Sequence, residues 1–232
     1  MSDNEASSLD GIQILEGLSS DATHALAKAC VWRRYADHEQ IIDRQSESTD
    51  VFFVVDGHVR VVNYSLSGKE ITLEDLGPGS HFGELSALDG QPRSASVMAL
   101  ESSLIAALPQ ERFTSLLQEN AIISFRVLRA LAAIVRNSTD RIMDLSTLAA
   151  NNRVQADLLR QARSTMIGDN QAEISPIPVH GDIASRVSTT RETVARVLSD
   201  LARKNIVERR KNVLLIKDLA QLREMVEEVR GE

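Results

Sequence analysis

The 232-residue chain is 43% hydrophobic, enough for one large domain or two ordinary ones, and carries a net charge of -7 at pH 7. Its single cysteine, Cys30, excludes an internal disulfide and an iron–sulfur cluster, and no apolar run approaches the ~18–20 residues of a membrane span. The acidity argues against a nucleic-acid partner, but its distribution does not: residues 1–149 hold 12 Lys+Arg against 21 Asp+Glu, residues 150–232 hold 14 against 12, and residues 180–212 hold 8 against 4.

The start, Met1-Ser2-Asp3-Asn4-Glu5, is polar and acidic where a signal peptide would be basic and then apolar, which points to a cytoplasmic protein. Residues 1–10 are expected to fray. Ser19-Ser20-Asp21 supplies N-cap chemistry for a short helix to about Cys30, with Leu26 and Ala29 inward.

Short runs rich in Val, Ile and Phe follow at 31–35, 40–43, 51–55, 58–64, 70–75, 95–99 and 104–108, separated by turn residues. That rhythm predicts a β-sandwich or barrel. Asp56-Gly57 is its strongest hairpin signal, and Ser67-Gly68 and Gly77-Pro78-Gly79 mark further turns.

Inside this region stands Phe82-Gly83-Glu84-Leu85-Ser86, running on to Arg93-Ser94-Ala95. A glycine permits close backbone approach, an arginine neutralises an anion, and the acid between them suits a sugar hydroxyl. The grouping predicts a pocket for a small phosphorylated, ribose-bearing ligand.

After Pro109 the period becomes helical: a short helix at 111–117, then a long one over about 120–148. Phe125, Leu128, Ala132, Val135, Thr139, Ile142 and Ser146 recur at 3-4-3-4 spacing, a seam that calls for a second helix and hence a parallel homodimer. Thr139 is the polar exception in that seam, fixing register or touching a ligand held by the other subunit. Ala149-Ala150-Asn151-Asn152 breaks the period and is the expected hinge.

Residues 153–163 read as helix, 169–175 as a polar loop and Pro176-Ile177-Pro178 as an edge strand or turn. Helices over 180–187 and from Arg191 onward, joined by Ser188-Thr189-Thr190, make a helix-turn-helix, with Thr189 or Thr190 as cap and Thr189 with Glu192 as a capping box. Projected at ~100° per residue, Val194, Val197, Leu198 and Leu201 share one face of the second helix and Arg191, Glu192 and Arg196 another. Arg reads guanine bidentately and Glu can accept from cytosine. Residues 206–208 and 213–216 form a two-stranded wing around the basic Arg209-Arg210-Lys211-Asn212, and 218–229 an amphipathic helix. No paired catalytic carboxylates, nucleophile–base set or metal-ligand cluster is present in the sequence, which argues against an enzyme. A nucleotide-binding module alone would not need the Arg191 helix.

From the first helix through the wing, the chain resembles the cyclic AMP receptor protein (catabolite activator) family of the CRP/FNR superfamily of bacterial regulators. The likeness rests on Gly83-Glu84-Leu85 with Arg93-Ser94-Ala95, and on Ser188-Thr189-Thr190-Arg191-Glu192-Thr193-Val194. It implies an α+β fold with an N-terminal cyclic-nucleotide-binding β-roll (a jelly-roll-like barrel, 1–118), a long dimerisation helix and hinge (119–149), and a C-terminal winged helix-turn-helix (150–232). By resemblance Arg93 and Ser94 hold the cyclic phosphate of cAMP or cGMP, Glu84 takes the ribose 2′-hydroxyl, and Gly83, Leu85 and Ala95 complete the cassette. Ser138 from the same subunit and Thr139 from the partner contact the purine; their hydroxyls fit either base. The DNA site it implies is a TGTGA-type pseudopalindrome read by Arg191, Glu192 and Arg196, with Ser188, Thr190 and Lys211 also in the interface and RNA polymerase as a further partner. Haem-sensing relatives need axial ligands, for which His58 and His81 have no cofactor context. Relatives answering to other metabolites lose the cassette's Glu and Arg. The turn residue often glycine in this family is Ser188 here, so a strained backbone or a different turn is expected.

Overall fold

The structure, a computed structural model of one chain, describes residues 8–230 apart from 67, 69 and 164. It divides into two compact units, residues 1–133 and 134–232.

In the first unit a 3-10 turn at Gln13–Leu15 precedes α1 (Ser20–Ala29), which Ser19 caps by accepting from the Ala22 amide. Eight strands follow: β1 (Val31–Tyr35), β2 (Gln40–Ile42), β3 (Val51–Asp56), β4 (Val59–Tyr64), β5 (Glu70–Leu76), β6 (His81–Phe82), β7 (Ser96–Ala99) and β8 (Ser103–Leu108), with α2 (Glu84–Asp89) between β6 and β7. They form two antiparallel four-stranded sheets, ordered β1-β8-β3-β6 and β2-β7-β4-β5. Seven of the strands fall where the apolar runs predict; β6, two residues long, is too short to show a period.

The unbroken run Val51-Phe52-Phe53-Val54 is explained by β3 being buried on both faces. Val51 and Phe53 pack toward Phe113 and Ile14, while Phe52 and Val54 pack toward Phe82 and Ile105. Asp56-Gly57 does not turn a hairpin, contrary to the sequence expectation: β3 and β4 lie in different sheets, and the pair carries the chain from one to the other. Gly57 adopts φ +81, and a Cβ there would fall 2.3 Å from the Ser103 hydroxyl, so close approach rather than strand pairing selects the glycine. The true hairpin joins β4 to β5 around Gly68; Ser67, named with it above, lies outside the described residues. The N-terminal expectation also needs correction. Residues 1–7 lie outside the described residues, but Leu9 is 1% exposed and belongs to the core with Ile12 and Leu15.

Helix α3 (Gln110–Glu119) leads into α4 (Ala121–Thr147), whose first turns bury Ile123 and Val127 in the first unit. Along the rest of α4 the predicted seam faces outward: Phe125, Leu128, Val135 and Ile142 are 60–64% exposed.

The second unit contains α5 (Ala150–Ala162), β9 (Ala172–Ile174), α6 (His180–Arg186), α7 (Arg191–Arg203), β10 (Val207–Arg210), β11 (Val213–Ile216) and α8 (Leu219–Arg230), with sheet order β10-β11-β9. Leu158, Ile183, Val194, Leu201, Ile216 and Leu222 form its core. Two expectations change here. The predicted polar loop at 169–175 holds β9, which pairs Ile174 with Leu214. The break after α4 is confined to Leu148 and Ala149, so Asn151 and Asn152 lie within α5. Among the described residues no helix is long and apolar enough to cross a membrane.

Candidate nucleotide pocket and nucleic-acid interface

The cassette is built where β6 meets α2. Gly83 is the residue before α2, with φ +83, and a Cβ there would lie 2.7 Å from Arg93 Nη1 and 3.0 Å from the Asp50 carbonyl. Both the backbone angle and the neighbouring arginine therefore require glycine. Arg93 is 4% exposed. Its Nη1 donates to the Gly83 carbonyl at 2.8 Å, its Nη2 to the Asp50 carbonyl at 2.8 Å, and Nε and Nη2 both reach Ser48 Oγ, at 3.2 and 3.1 Å. The guanidinium also lies 5.5 Å from the Phe52 ring centroid. Burial lowers its pKa, opposed by the charges of Asp50 and Glu84. The hydrogen-bond partners of this buried cation are neutral oxygens among the described residues, an arrangement that an anionic ligand would complete.

Glu84 opens α2 and is 6% exposed. Burial raises its carboxyl pKa, and the charge of Glu74 adds to that; its own amide and Arg93 pull the other way. Ala95 is buried, Leu85 is 37% exposed, and Ser94 is exposed with its carbonyl accepting from Asn63 Nδ2 at 3.3 Å. The first unit thus brings Gly83, Glu84, Arg93 and Ser94 to one place, together with Ser48, Asp50 and Asn63. Nothing in the sequence marks those three, because their contacts with the cassette span 31 to 45 residues.

His81, two residues before Gly83, is held at a pKa of about 4 by burial. The folded chain therefore takes up this proton less readily than the unfolded one, so the contribution is intact above pH ~6.5 and is lost as pH falls toward 4. Between pH 7 and 5 thermal or urea melts should lose about 2 kcal/mol that His81→Gln does not lose; an unaltered pH dependence in the variant would refute the assignment.

In the second unit α6 and α7 form the helix-turn-helix. Ser188 has φ +53, the left-handed conformation expected for a position where glycine is common. Arg153 secures this turn, donating to the carbonyls of Val187 at 2.9 Å and Ser188 at 3.1 Å. Thr190, not Thr189, is the cap of α7: its Oγ1 accepts from the Thr193 amide at 3.3 Å. The Thr189–Glu192 capping box is therefore not the arrangement adopted. Glu192 instead sits in the first turn, where a hydrogen bond from the Thr190 hydroxyl holds its pKa below the usual range. Val194, Val197 and Leu201 are buried while Arg191, Glu192 and Arg196 are exposed, the division the helical projection gives. At the tip of the β10–β11 hairpin Arg209 and Lys211 are exposed, and Arg210 pairs with Glu208 at 3.0 Å. Ser138 and Thr139 lie on the second-unit part of α4; both are exposed, and Thr139 Oγ1 donates to the Val135 carbonyl at 3.0 Å.

Residues 32–120 match the family model described as a cyclic nucleotide-binding domain, and residues 152–225 match the Crp-like helix-turn-helix domain. The chain is 30% identical over 217 residues to the cyclic AMP receptor protein of Thermus thermophilus, spanning 94% of this chain and 98% of that one. The chain belongs to the cyclic AMP receptor protein family. A CRP-like cAMP-activated global transcriptional regulator of Mycobacterium tuberculosis is 25% identical over 90% of this chain and 94% of its own length. A solved structure of a CooA mutant from Carboxydothermus hydrogenoformans superposes with a TM-score of 0.80 at 26% identity, covering 93% of this chain and 94% of that one. Cyclic AMP receptor protein family members are transcription regulators rather than enzymes, and this one couples a cyclic-nucleotide-binding domain to a DNA-binding helix-turn-helix.

Proposed function

We propose that this family member is a homodimeric, cytoplasmic transcription regulator switched by a cyclic purine nucleotide. The observation that carries the reading is the buried Arg93 guanidinium beside the buried Glu84 carboxyl. Arg93 and Ser94 hold the cyclic phosphate, Glu84 accepts from the ribose 2′-hydroxyl, Gly83 allows close backbone approach, and Leu85 and Ala95 line the cassette. The names of the relatives favour cAMP, with cGMP the second candidate. Ser138 and the partner's copy of Thr139 complete the pocket around the base. The outward-facing Phe125, Leu128, Val135 and Ile142 support pairing through α4 as a coiled-coil seam, with 119–149 acting as dimerisation helix and hinge between a nucleotide-binding domain (1–118) and a DNA-binding domain (150–232).

Ligand binding shifts the dimer toward a state whose two recognition helices, α7, match successive major grooves ~34 Å apart. The DNA site is a TGTGA-type pseudopalindrome. Arg191, Glu192 and Arg196 read bases, Ser188, Thr190 and Lys211 contact the backbone, and RNA polymerase is the further partner. Gel shifts on such a duplex with and without cAMP or cGMP, run beside sizing chromatography, test the reading. Ligand-independent binding, or a monomer, would overturn it. Arg191→Ala should relax discrimination at one G·C pair by ~1–3 kcal/mol while leaving binding to other sequences nearly unchanged. A uniform loss over all sequences would make Arg191 a phosphate contact.

A further inference from the structure

We propose that Gly181 on α6 is a positioning residue that seats the Arg191 guanidinium and so helps to set DNA specificity, an inference that rests on the base-reading role of Arg191 proposed above. Gly181 is the second residue of α6, and Arg191 opens α7 on the other side of the turn. A Cβ at Gly181 would lie 3.0 Å from Arg191 Nε, 3.3 Å from Nη2 and 3.4 Å from Cζ. The three nearest atoms thus all belong to one guanidinium, and the space that glycine leaves open is the space against which Arg191 packs.

Neither backbone geometry nor helix stability accounts for a glycine at this position. Gly181 is helical and lies outside the left-handed region that requires glycine at Gly83. Glycine is also the poorest helix former after proline, and α6 has only seven residues, His180–Arg186, over which to absorb that cost. Alanine would serve the helix better. What alanine would meet is Arg191.

The contact orients the arginine without occupying its donors. Among the described residues no hydrogen bond or salt bridge holds the Arg191 side chain. Arg196, by contrast, commits an Nη2 donor to Asn151 Oδ1 at 3.4 Å, and Arg210 is paired with Glu208. A seat made by van der Waals contact restricts where the Arg191 guanidinium can lie and leaves its planar fork free for guanine O6 and N7. It also reduces the rotamer freedom that the side chain gives up on docking.

Fluorescence anisotropy titrations of the full chain test this, with cAMP and in a parallel series with cGMP, on the TGTGA-type duplex and on duplexes changed at each G·C pair. Gly181→Ala should reduce discrimination at the pair that Arg191 reads by about threefold, and Gly181→Leu, which fills the seat, by about tenfold, to the level of Arg191→Ala. Discrimination at the other pairs should stay within about twofold, the spread of independent sites. In an Arg191→Ala background neither change should have a further effect at that pair, because the group it displaces is gone. The Tm of Gly181→Ala should hold or rise, since alanine forms helix better than glycine. Full discrimination in Gly181→Leu, equal losses with and without Arg191, or a lowered Tm in Gly181→Ala overturns the seat while the base-reading role stands. Wild-type selectivity in Arg191→Ala overturns both, as does a wild type that binds every duplex alike.

Discussion

Arg93→Ala should lower the affinity for a cyclic nucleotide by about a thousandfold or more in calorimetry, equivalent to about 4 kcal/mol. The size follows from the burial of the guanidinium. At 4% exposure, bonds to a phosphate form with little competition from water, and each charge-assisted bond contributes about 1.5–3 kcal/mol. The same side chain supports the apo pocket, since the carbonyls of Asp50 and Gly83 lose their donor when it is removed. The variant should therefore fold with a lowered Tm, and circular dichroism beside the titration separates the two effects. Arg93→Lys should also lose most of the affinity, because one ammonium cannot reproduce a planar fork that reaches Ser48, Asp50 and Gly83 at once. Gly83→Ala should match the loss from the opposite direction, by forcing a Cβ against Arg93 Nη1 and the Asp50 carbonyl at φ +83. Unchanged affinity in Arg93→Ala would remove the arginine from the pocket.

Local pattern made most of the architecture legible. The alternation of short apolar runs with turn residues marks seven of the eight β-roll strands, and the 3-4 spacing marks α4 to within a residue or two at each end. What escaped was set by tertiary contact. Asp56-Gly57 has hairpin chemistry, yet the strands it joins pair elsewhere, and Ser103, 46 residues on, is what requires the glycine. Leu9 sits in a polar leader but is buried by residues from β3, β8 and α3. Of two adjacent threonines able to cap α7, sequence could not choose, and the φ/ψ of Thr190 decides. In the pocket, Gly83, Glu84 and Arg93 are legible because their spacing is local to one turn and helix. Ser48, Asp50 and Asn63 are not, because strand pairing and the path of the chain before β3 deliver them from distant segments.

The largest stability effect is expected in the second unit, at a side chain that sequence reading passed over inside a helical stretch. Asp157 on α5 is 3% exposed and pairs with Arg186 of α6 at 3.2 Å and with Arg160 at 3.5 Å; Gln161 Nε2 adds a bond at 2.8 Å. Arg160 continues to Asp144 at 2.6 Å, and Arg141 donates to the Arg186 carbonyl at 3.1 Å. The network ties the last turns of α4 through α5 to the first helix of the helix-turn-helix. Removing one member of a buried pair leaves its partner's charge uncompensated, a cost of about 3–5 kcal/mol. Asp157→Ala should therefore lower the stability of the second unit by that amount in urea melts, and weaken DNA binding while leaving nucleotide affinity unaltered. Asp157→Leu combined with Arg186→Met should recover much of the loss, because replacing a buried pair by apolar residues removes the desolvation cost with the attraction. Additive losses in the double variant would mean that each side chain stabilises through its other contacts, Gln161 and Arg160 for Asp157, rather than through the pair. The melts and the DNA titration then divide stability from coupling. A double variant that regains its stability but binds DNA without responding to nucleotide would locate in this ion network the link between α4 and the recognition helix.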